Sequence, residues 1–135
     1  HMKAGGSVCP PSYFTVDNKM HYLHQEGRTV FKYAVSSMSD VSAAIAEKNG
    51  LTKDSINWIV PHQANQRIID FASTKLKVPK EKFYLNIHKY GNTSSASIPI
   101  ALDELNRAGK LHRGDLLLLP AFGGGLASAC CLVRW

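Results

Sequence analysis

Apolar residues recur at helical spacing in three stretches of the chain. These stretches cover about 29–48, 64–77 and 98–108, and in each of them polar residues fill the intervening positions. Such spacing places the apolar side chains on one face of a helix. Residues typical of helix ends follow each stretch: Asn49-Gly50, Val78-Pro79 and Gly109. The pattern therefore predicts three amphipathic helices.

Short apolar runs of strand length lie between and after these helices. Ile56–Val60 and residues 83–85 form two of them, and Asp115–Ala121 is almost continuously apolar. A continuous run is typical of a strand that is covered on both faces. A last run at 127–133 follows Gly123–Gly125. The connection is too short for a crossover helix, so the last two strands are predicted to be antiparallel.

The alternation of helices and strands predicts a layered α/β fold in a single domain. Residues 3–26, which are rich in Gly, Ser and Pro, are interpreted as an N-terminal arm with a short strand near 19–23. Residues 1–2 are interpreted as a remnant of recombinant expression. The folded domain is expected to comprise residues 27–135.

Composition narrows the classes of function. The formal net charge is +6 with histidine neutral, but the basic residues are scattered, which argues against nucleic-acid binding and favours an acidic protein partner. No apolar run is long enough to cross a membrane. The three cysteines suggest neither a disulfide framework nor a zinc site. We expect a protein of the reducing cytoplasm.

Two polar side chains stand where a helix follows a strand or a sharp turn. His62 comes directly after Pro61, and Asn92 comes directly after Gly91. Functional groups of α/β folds collect at the carboxyl ends of strands, and both side chains can donate hydrogen bonds to a developing oxyanion. Taken singly, a capping or packed histidine and a turn asparagine are ordinary structural readings. Together they indicate half of an active site, because no nucleophile has a comparable setting.

The glycine run Gly123–Gly125 offers a third candidate. Without side chains, a substrate can approach the backbone closely, and a free N–H can contribute to an oxyanion hole. A purely structural turn is the alternative. A phosphate-binding loop is excluded because the Lys and the Ser or Thr of a P-loop are absent and a strand follows.

Three segments, taken together, resemble the C-terminal half of β-ketoacyl-acyl-carrier-protein synthase III, a thiolase-fold condensing enzyme. The segments are Val60–Arg67, His88–Ser97 and Ala121–Gly125, and they occur in the family's order. The resemblance covers about 27–135. It implies an α/β fold that is one half of a thiolase-like structure, with a mixed, mostly parallel sheet and helices on both faces. Elongating synthases differ, because they have a second histidine at the position of Asn92.

The resemblance implies an acyltransferase of fatty acid biosynthesis that needs no cofactor or metal. In that family a cysteine takes an acyl group from acyl-CoA, and malonyl-acyl-carrier protein then decarboxylates to a carbanion that attacks the thioester. His62 and Asn92 would donate hydrogen bonds to the malonyl thioester oxygen. The N–H of Gly124 would contribute to the oxyanion hole for the thioester carbonyl.

The resemblance also implies partners. The full-length enzyme would be a homodimer that binds acyl carrier protein and acyl-CoA, with no nucleic acid or membrane. Arg67 would meet an acidic carrier helix, and Asn65 would lie near the pantetheine arm. Gly27 and Phe31 match positions that line the pantetheine tunnel. The carrier contact is predicted to comprise Gln63, Ala64, Asn65, Gln66 and Arg67.

The family's nucleophilic cysteine has no counterpart here. Cys9, Cys130 and Cys131 lie outside the matching context, which belongs to the N-terminal half of the family. We therefore expect a piece of a longer enzyme that is inactive without its N-terminal half. Two alternatives remain: a non-catalytic module that binds acyl carrier protein or CoA, and a condensing enzyme of the polyketide starter type.

Overall fold

The sheet within residues 32–135 contains three strands in the order β1, β2, β3. In the computed structural model, which describes all residues from 1 to 135, these strands are Trp58–Ile59, Leu116–Gly123 and Ala127–Arg134. β1 runs parallel to β2, whereas β2 and β3 are antiparallel, as predicted. Phe83 adds an isolated parallel bridge to Ile59 in place of the short strand predicted at 83–85. The sheet is therefore mixed.

The chain contains five α-helices. The helices are α1 (Tyr13–Asp17), α2 (Gly27–Lys48), α3 (Gln66–Leu76), α4 (Ile87–Tyr90) and α5 (Ser97–Arg107), with 3-10 turns at Lys80–Lys82 and Ser94–Ala96. The three predicted amphipathic helices are confirmed as α2, α3 and α5. Neither α1 nor α4 was predicted, because helices this short show no apolar periodicity.

Alternate side chains of β1 and β2 are buried on opposite faces of the sheet, as strand geometry requires. Val60 and Leu117 pack with Leu105 of α5 in one buried cluster. Ile59 and Leu118 line a cavity of about 170 Å³ together with residues of α2 and α3. Helices therefore cover both faces, and the burial of both faces explains the continuous apolar pattern of β2.

Helix α5 begins at Ser97 without a side-chain cap, although three hydroxyl residues, Thr93, Ser94 and Ser95, precede it. The preceding 3-10 turn satisfies its own backbone, since Ala96 N–H donates to the Thr93 carbonyl at 3.1 Å. Ser94 N–H is bonded to the Asn92 side chain at 2.9 Å, so the turn before α5 is also held by a side-chain bond.

Residues 1–31 form a separate compact unit. Ser12 caps α1, and the strand predicted near 19–23 does not form. Instead the chain turns back onto α1, where Met20 N–H donates to the Thr15 carbonyl at 2.9 Å, and Leu23 makes only an isolated bridge to Met2. Several large apolar side chains of this unit are exposed: Met2, Val8, Tyr13, Phe14, Val16, Tyr22 and Leu23.

The contribution of α5 to the core can be measured on this chain. Leu105 is fully buried, so Leu105→Ala is expected to lower the free energy of unfolding by about 2–5 kcal/mol through lost burial and a residual cavity. Leu102→Ala on the same helix is the control, because Leu102 is only partly buried. Chemical denaturation gives both values, and equal losses would contradict the packing described.

Candidate active site

Backbone pairing with β2 fixes the position of His62. Val60 N–H donates to the Leu118 carbonyl at 2.8 Å, and His62 N–H donates to the Pro120 carbonyl at 2.9 Å. The parallel pairing thus continues beyond the end of β1. Pro120 has no N–H to donate to this continued pairing, but its carbonyl still accepts from His62 N–H.

The His62 ring lies where three segments meet. It packs edge to face with the ring of Phe122, with centroids 5.5 Å apart, and Phe122 directly precedes the glycine turn. Its Nδ1 lies 2.7 Å from the hydroxyl of Ser97, the first residue of α5. Desolvation by burial lowers the His62 pKa, which favours the neutral imidazole at neutral pH. The ends of β1 and β2 and the start of α5 therefore converge here.

The hydroxyl of Ser97 selects one tautomer of His62. Ser97 is 2 % exposed, and its Oγ accepts from Gln63 N–H at 3.3 Å. A buried hydroxyl needs an acceptor for its own hydrogen, and His62 Nδ1 is the acceptor within reach. Assigned from this network, Nδ1 accepts and Nε2 carries the ring hydrogen. His62 is then a neutral donor through Nε2.

Gln63, one of the residues predicted to contact the carrier protein, has a buried side chain that is fully bonded within the chain. Its amide nitrogen donates to the carbonyls of Pro61 and Tyr84 at 2.9 and 3.1 Å. Its amide oxygen accepts from Asn86 N–H at 3.1 Å. Gln63 is 1 % exposed, and its amide ties the segment after β1 to the segment before α4.

Asn92 is held in a turn that leaves its amide group exposed. Gly91 has φ 69° and ψ −160°, a conformation that is essentially restricted to glycine. The Asn92 side chain accepts from Ser94 N–H at 2.9 Å, and because that N–H can only donate, the accepting atom is the amide oxygen. The exposed NH₂ group is left to donate elsewhere.

The glycine turn between β2 and β3 is also exposed. Gly124 and Gly125 carry no side chain, and Gly125 has φ +141°. A Cβ at Gly125 would lie 3.1 Å from the backbone nitrogen of Ala127, so glycine is needed there both for conformation and for space. Gly124 forms no backbone hydrogen bond within the turn, which leaves its N–H for another acceptor.

The remaining predicted contact residues lie at two helix starts. Asn65 caps α3 by accepting from Arg67 N–H at 2.9 Å, and Asn65, Gln66 and Arg67 are exposed while Ala64 is half-buried. Gly27 and Phe31 lie in the first turns of α2, in the part that belongs to residues 1–31. Gly27 is exposed and Phe31 is half-buried.

The three cysteines lie outside the segments that form the candidate site. All three are free thiols. Burial raises the pKa of Cys130 to about 11, so this thiol is protonated at neutral pH. Cys130 lies in β3 against Ser42 of α2. No group of three or more His, Cys, Asp or Glu side chains is arranged to hold a metal ion, and no helix is long and apolar enough to span a membrane.

Sequence reasoning missed the roles of Ser97 and Phe122 beside the imidazole. A serine near a helix start reads as a capping residue, and a phenylalanine in an apolar run reads as core. Ser97 is 35 positions from His62 along the chain, so no local spacing signals their contact.

A known protein family and several known proteins are similar to this chain. The family model for the C-terminal region of 3-oxoacyl-[acyl-carrier-protein] synthase III matches residues 46–135. The whole chain is 64% identical to beta-ketoacyl-[acyl-carrier-protein] synthase III 2 of Bacteroides thetaiotaomicron and 62% identical to a synthase III of Phocaeicola vulgatus. In both cases the chain spans 40% of the relative's length.

Solved structures of synthase III proteins are also similar to this chain. The crystal structure of 3-oxoacyl-[acyl-carrier-protein] synthase III from Aquifex aeolicus is 50% identical, with a TM-score of 0.83 over 85% of this chain and 37% of that one. Another 3-oxoacyl-(acyl-carrier-protein) synthase III structure is 29% identical, with a TM-score of 0.92 over all of this chain and 43% of its own. The predicted α/β, thiolase-like fold is confirmed.

The tautomer of His62 can be tested without any reaction. Ser97→Ala removes the group that donates to Nδ1, so the two neutral tautomers should exchange and the ring ¹⁵N shifts of His62 should move towards their average. NMR of the labelled chain above neutral pH measures this. Ser95→Ala, at an exposed position, is the control. Unchanged ring shifts in Ser97→Ala would contradict the assignment.

Proposed function

This chain belongs to the family defined by the C-terminal region of 3-oxoacyl-[acyl-carrier-protein] synthase III, and we propose that it supplies the charge-stabilising part of a condensing active site. The complete enzyme would join an acyl group from acyl-CoA to malonyl-acyl-carrier protein with loss of CO₂. The observation that carries this proposal is the meeting of the β1 end, the β2 end and the α5 start at His62.

The proposed chemistry places negative charge next to neutral donors. When malonyl loses CO₂, the electrons of the broken C–C bond form an enolate whose charge rests on the thioester oxygen. His62 Nε2–H and the Asn92 NH₂ would donate to that oxygen, which is preorganised stabilisation of a developing charge. A neutral imidazole suits this role because it needs no compensating anion.

The carbon nucleophile formed in this way attacks the acyl thioester. The C–C bond forms at the thioester carbonyl, whose oxygen becomes an oxyanion, and the enzyme thiolate then leaves. The exposed N–H of Gly124 would donate to that oxyanion. We place the thiolate on a cysteine outside this chain, because none of the segments that resemble the family contains a cysteine and Cys130 is a half-buried, protonated thiol. We therefore propose that the chain alone does not condense substrates.

Acyl carrier protein is the proposed macromolecular partner. Arg67 is exposed in the first turn of α3, close to Asn65 and Gln66, and the chain has a net charge of +6. A cation at this position suits an acidic partner surface. We also propose that Gly27 and Phe31 contact the pantetheine arm. The homodimer and the N-terminal half of a longer protein are further proposed partners.

A carrier-binding role without catalysis is the second candidate function. The exposed start of α3 favours it, because that surface lies entirely within this chain. The two candidates differ in a simple way: a binding module would bind acyl carrier protein as the isolated chain, whereas the enzyme part would need the longer protein for turnover.

The charge-stabilising role predicts a defect in one step only. In the longer protein, His62→Ala and Asn92→Ala should each slow malonyl decarboxylation by about 100-fold or more, since each removes a donor to the developing oxyanion. Transfer of the acyl group from acyl-CoA should change much less. Release of labelled CO₂ and labelled acyl loading measure the two steps.

His112→Ala is the matched control for those variants, because His112 is an exposed histidine that precedes β2, whereas the glycine turn of the site follows the other end of that strand. It should leave both steps unchanged. A normal decarboxylation rate in both site variants would contradict the proposed role of the two donors.

The carrier contact predicts a charge-dependent loss of binding. Arg67→Ala should weaken binding of acyl carrier protein, mainly by slowing association, and should reduce its salt dependence. Arg113→Ala removes the same charge at another exposed position and should have little effect. Binding kinetics at several salt concentrations, with both the isolated chain and the longer protein, separate the two candidate functions. Equal effects of the two variants would exclude a specific contact at Arg67.

A further inference from the structure

One carboxylate outside the reacting groups accepts four hydrogen bonds. Glu104 of α5 accepts from the Tyr84 hydroxyl at 3.3 Å, from Asn86 Nδ2 at 2.7 Å and from the Tyr90 hydroxyl at 2.8 Å. It also forms an ion pair with the ammonium group of Lys89. The two carboxylate oxygens together offer about four acceptor positions, so these donors use the full capacity of the group.

Three of the four donors come from the segment that ends directly before the turn of Asn92. Asn86, Lys89 and Tyr90 belong to α4 or its N-cap, and Gly91 and Asn92 follow at once. The Glu104 side chain is 16% exposed and that of Lys89 is 57% exposed. The Glu104 side chain is therefore less exposed than that of Lys89, and the hydrogen bonds to its carboxylate attach α4 to α5.

The same network reaches the residue next to His62. Asn86 bonds Glu104 through its side chain and donates its backbone N–H to the amide oxygen of Gln63. Gln63 N–H in turn donates to Ser97, whose hydroxyl contacts the His62 ring. A continuous run of hydrogen bonds thus joins Glu104 to the neighbours of both proposed oxyanion donors.

We propose that Glu104 is a positioning residue that holds the Asn92 amide at a set distance from the His62 imidazole by anchoring α4 to α5. It touches no substrate in this role. The proposal rests on the proposed function of His62 and Asn92 as joint donors. It deepens that function by assigning a geometric task to a residue outside the reacting groups.

The chemistry of the site requires a carboxylate rather than an amide. The tyrosine hydroxyls can donate or accept, but Lys89 Nζ and Asn86 Nδ2 can only donate, and one of them faces each oxygen of Glu104. An amide at this position would therefore turn its own NH₂ group towards one of these two donors. Bonds from Lys89 first, and then Asn86, lower the Glu104 pKa to about 2, so the carboxylate stays charged. The depressed pKa means that its contribution to stability is present above the unfolded value and is lost only as the pH falls towards about 2.

Glu104→Gln tests the anchor on this chain by ¹⁵N relaxation and hydrogen exchange. Residues 87–94 should become more mobile, and Asn86 N–H should exchange roughly tenfold faster or more, as expected for loss of charge-assisted bonds. The amide of Leu118 in β2 should keep its exchange rate. Faster exchange of Leu118 and Asn86 to the same extent would indicate general destabilisation and would overturn the positioning role.

Asp103→Asn is the matched control, because it removes a neighbouring carboxylate of α5 that pairs only with Arg107. It should leave residues 87–94 unchanged. Tyr90→Phe removes one donor to Glu104 at a partly exposed position and should act in the same direction as Glu104→Gln, with a smaller effect. Indistinguishable behaviour of Glu104→Gln and Asp103→Asn would overturn the proposal.

The functional consequence is measured in the longer protein. Glu104→Gln should lower the rate of malonyl decarboxylation about tenfold through kcat, with acyl loading from acyl-CoA unchanged. Glu104→Asp, which keeps the charge on a shorter side chain, should restore part of the rate. Increased mobility of 87–94 with a normal decarboxylation rate would support the anchor and overturn the joint donor role of Asn92. Normal mobility would overturn the anchor itself.

Discussion

The parallel pairing of β1 with β2 is the constraint on which the candidate site depends. It carries His62 to the Pro120 carbonyl, and from there the imidazole meets Phe122 at the edge of the glycine turn. The helix α5 packs against the same two strands through Leu105, which brings its first residue, Ser97, to the imidazole. One apolar packing arrangement therefore places three sequence segments within reach of each other, and the polar contacts then set their orientation.

The polar groups around this core form hydrogen bonds that allow few other arrangements of the side chains. Gln63 uses both ends of its buried amide, Ser97 uses its hydroxyl as donor and acceptor, and Glu104 accepts from four groups. Buried polar networks of this kind favour a single geometry, because any other arrangement leaves a desolvated group without a partner. Such rigidity suits a site that stabilises charge by preorganised donors, since the donors need not reorganise as the charge develops.

Much of the fold was predictable because apolar periodicity reports directly on burial. The helices α2, α3 and α5 and the antiparallel β2–β3 pair have close to their expected bounds. The prediction failed where a segment was short or bonded to distant residues. The helix α4 is a single turn held by Glu104, and the segment 19–23 turns back onto α1. The spacing of apolar residues within these short segments therefore does not predict their conformations.

The sequence by itself determined which groups are available for chemistry: a histidine after a strand, an asparagine after a glycine, and the backbone of a glycine turn that carries no side chains. It also showed that the three matching segments contain no cysteine. Only the tertiary structure decided which of these groups meet, which ring nitrogen of His62 carries the hydrogen, and that Gln63 faces inward. The physical reason is that hydrogen-bond partners such as Ser97 and His62 lie far apart along the chain and are brought together by packing alone.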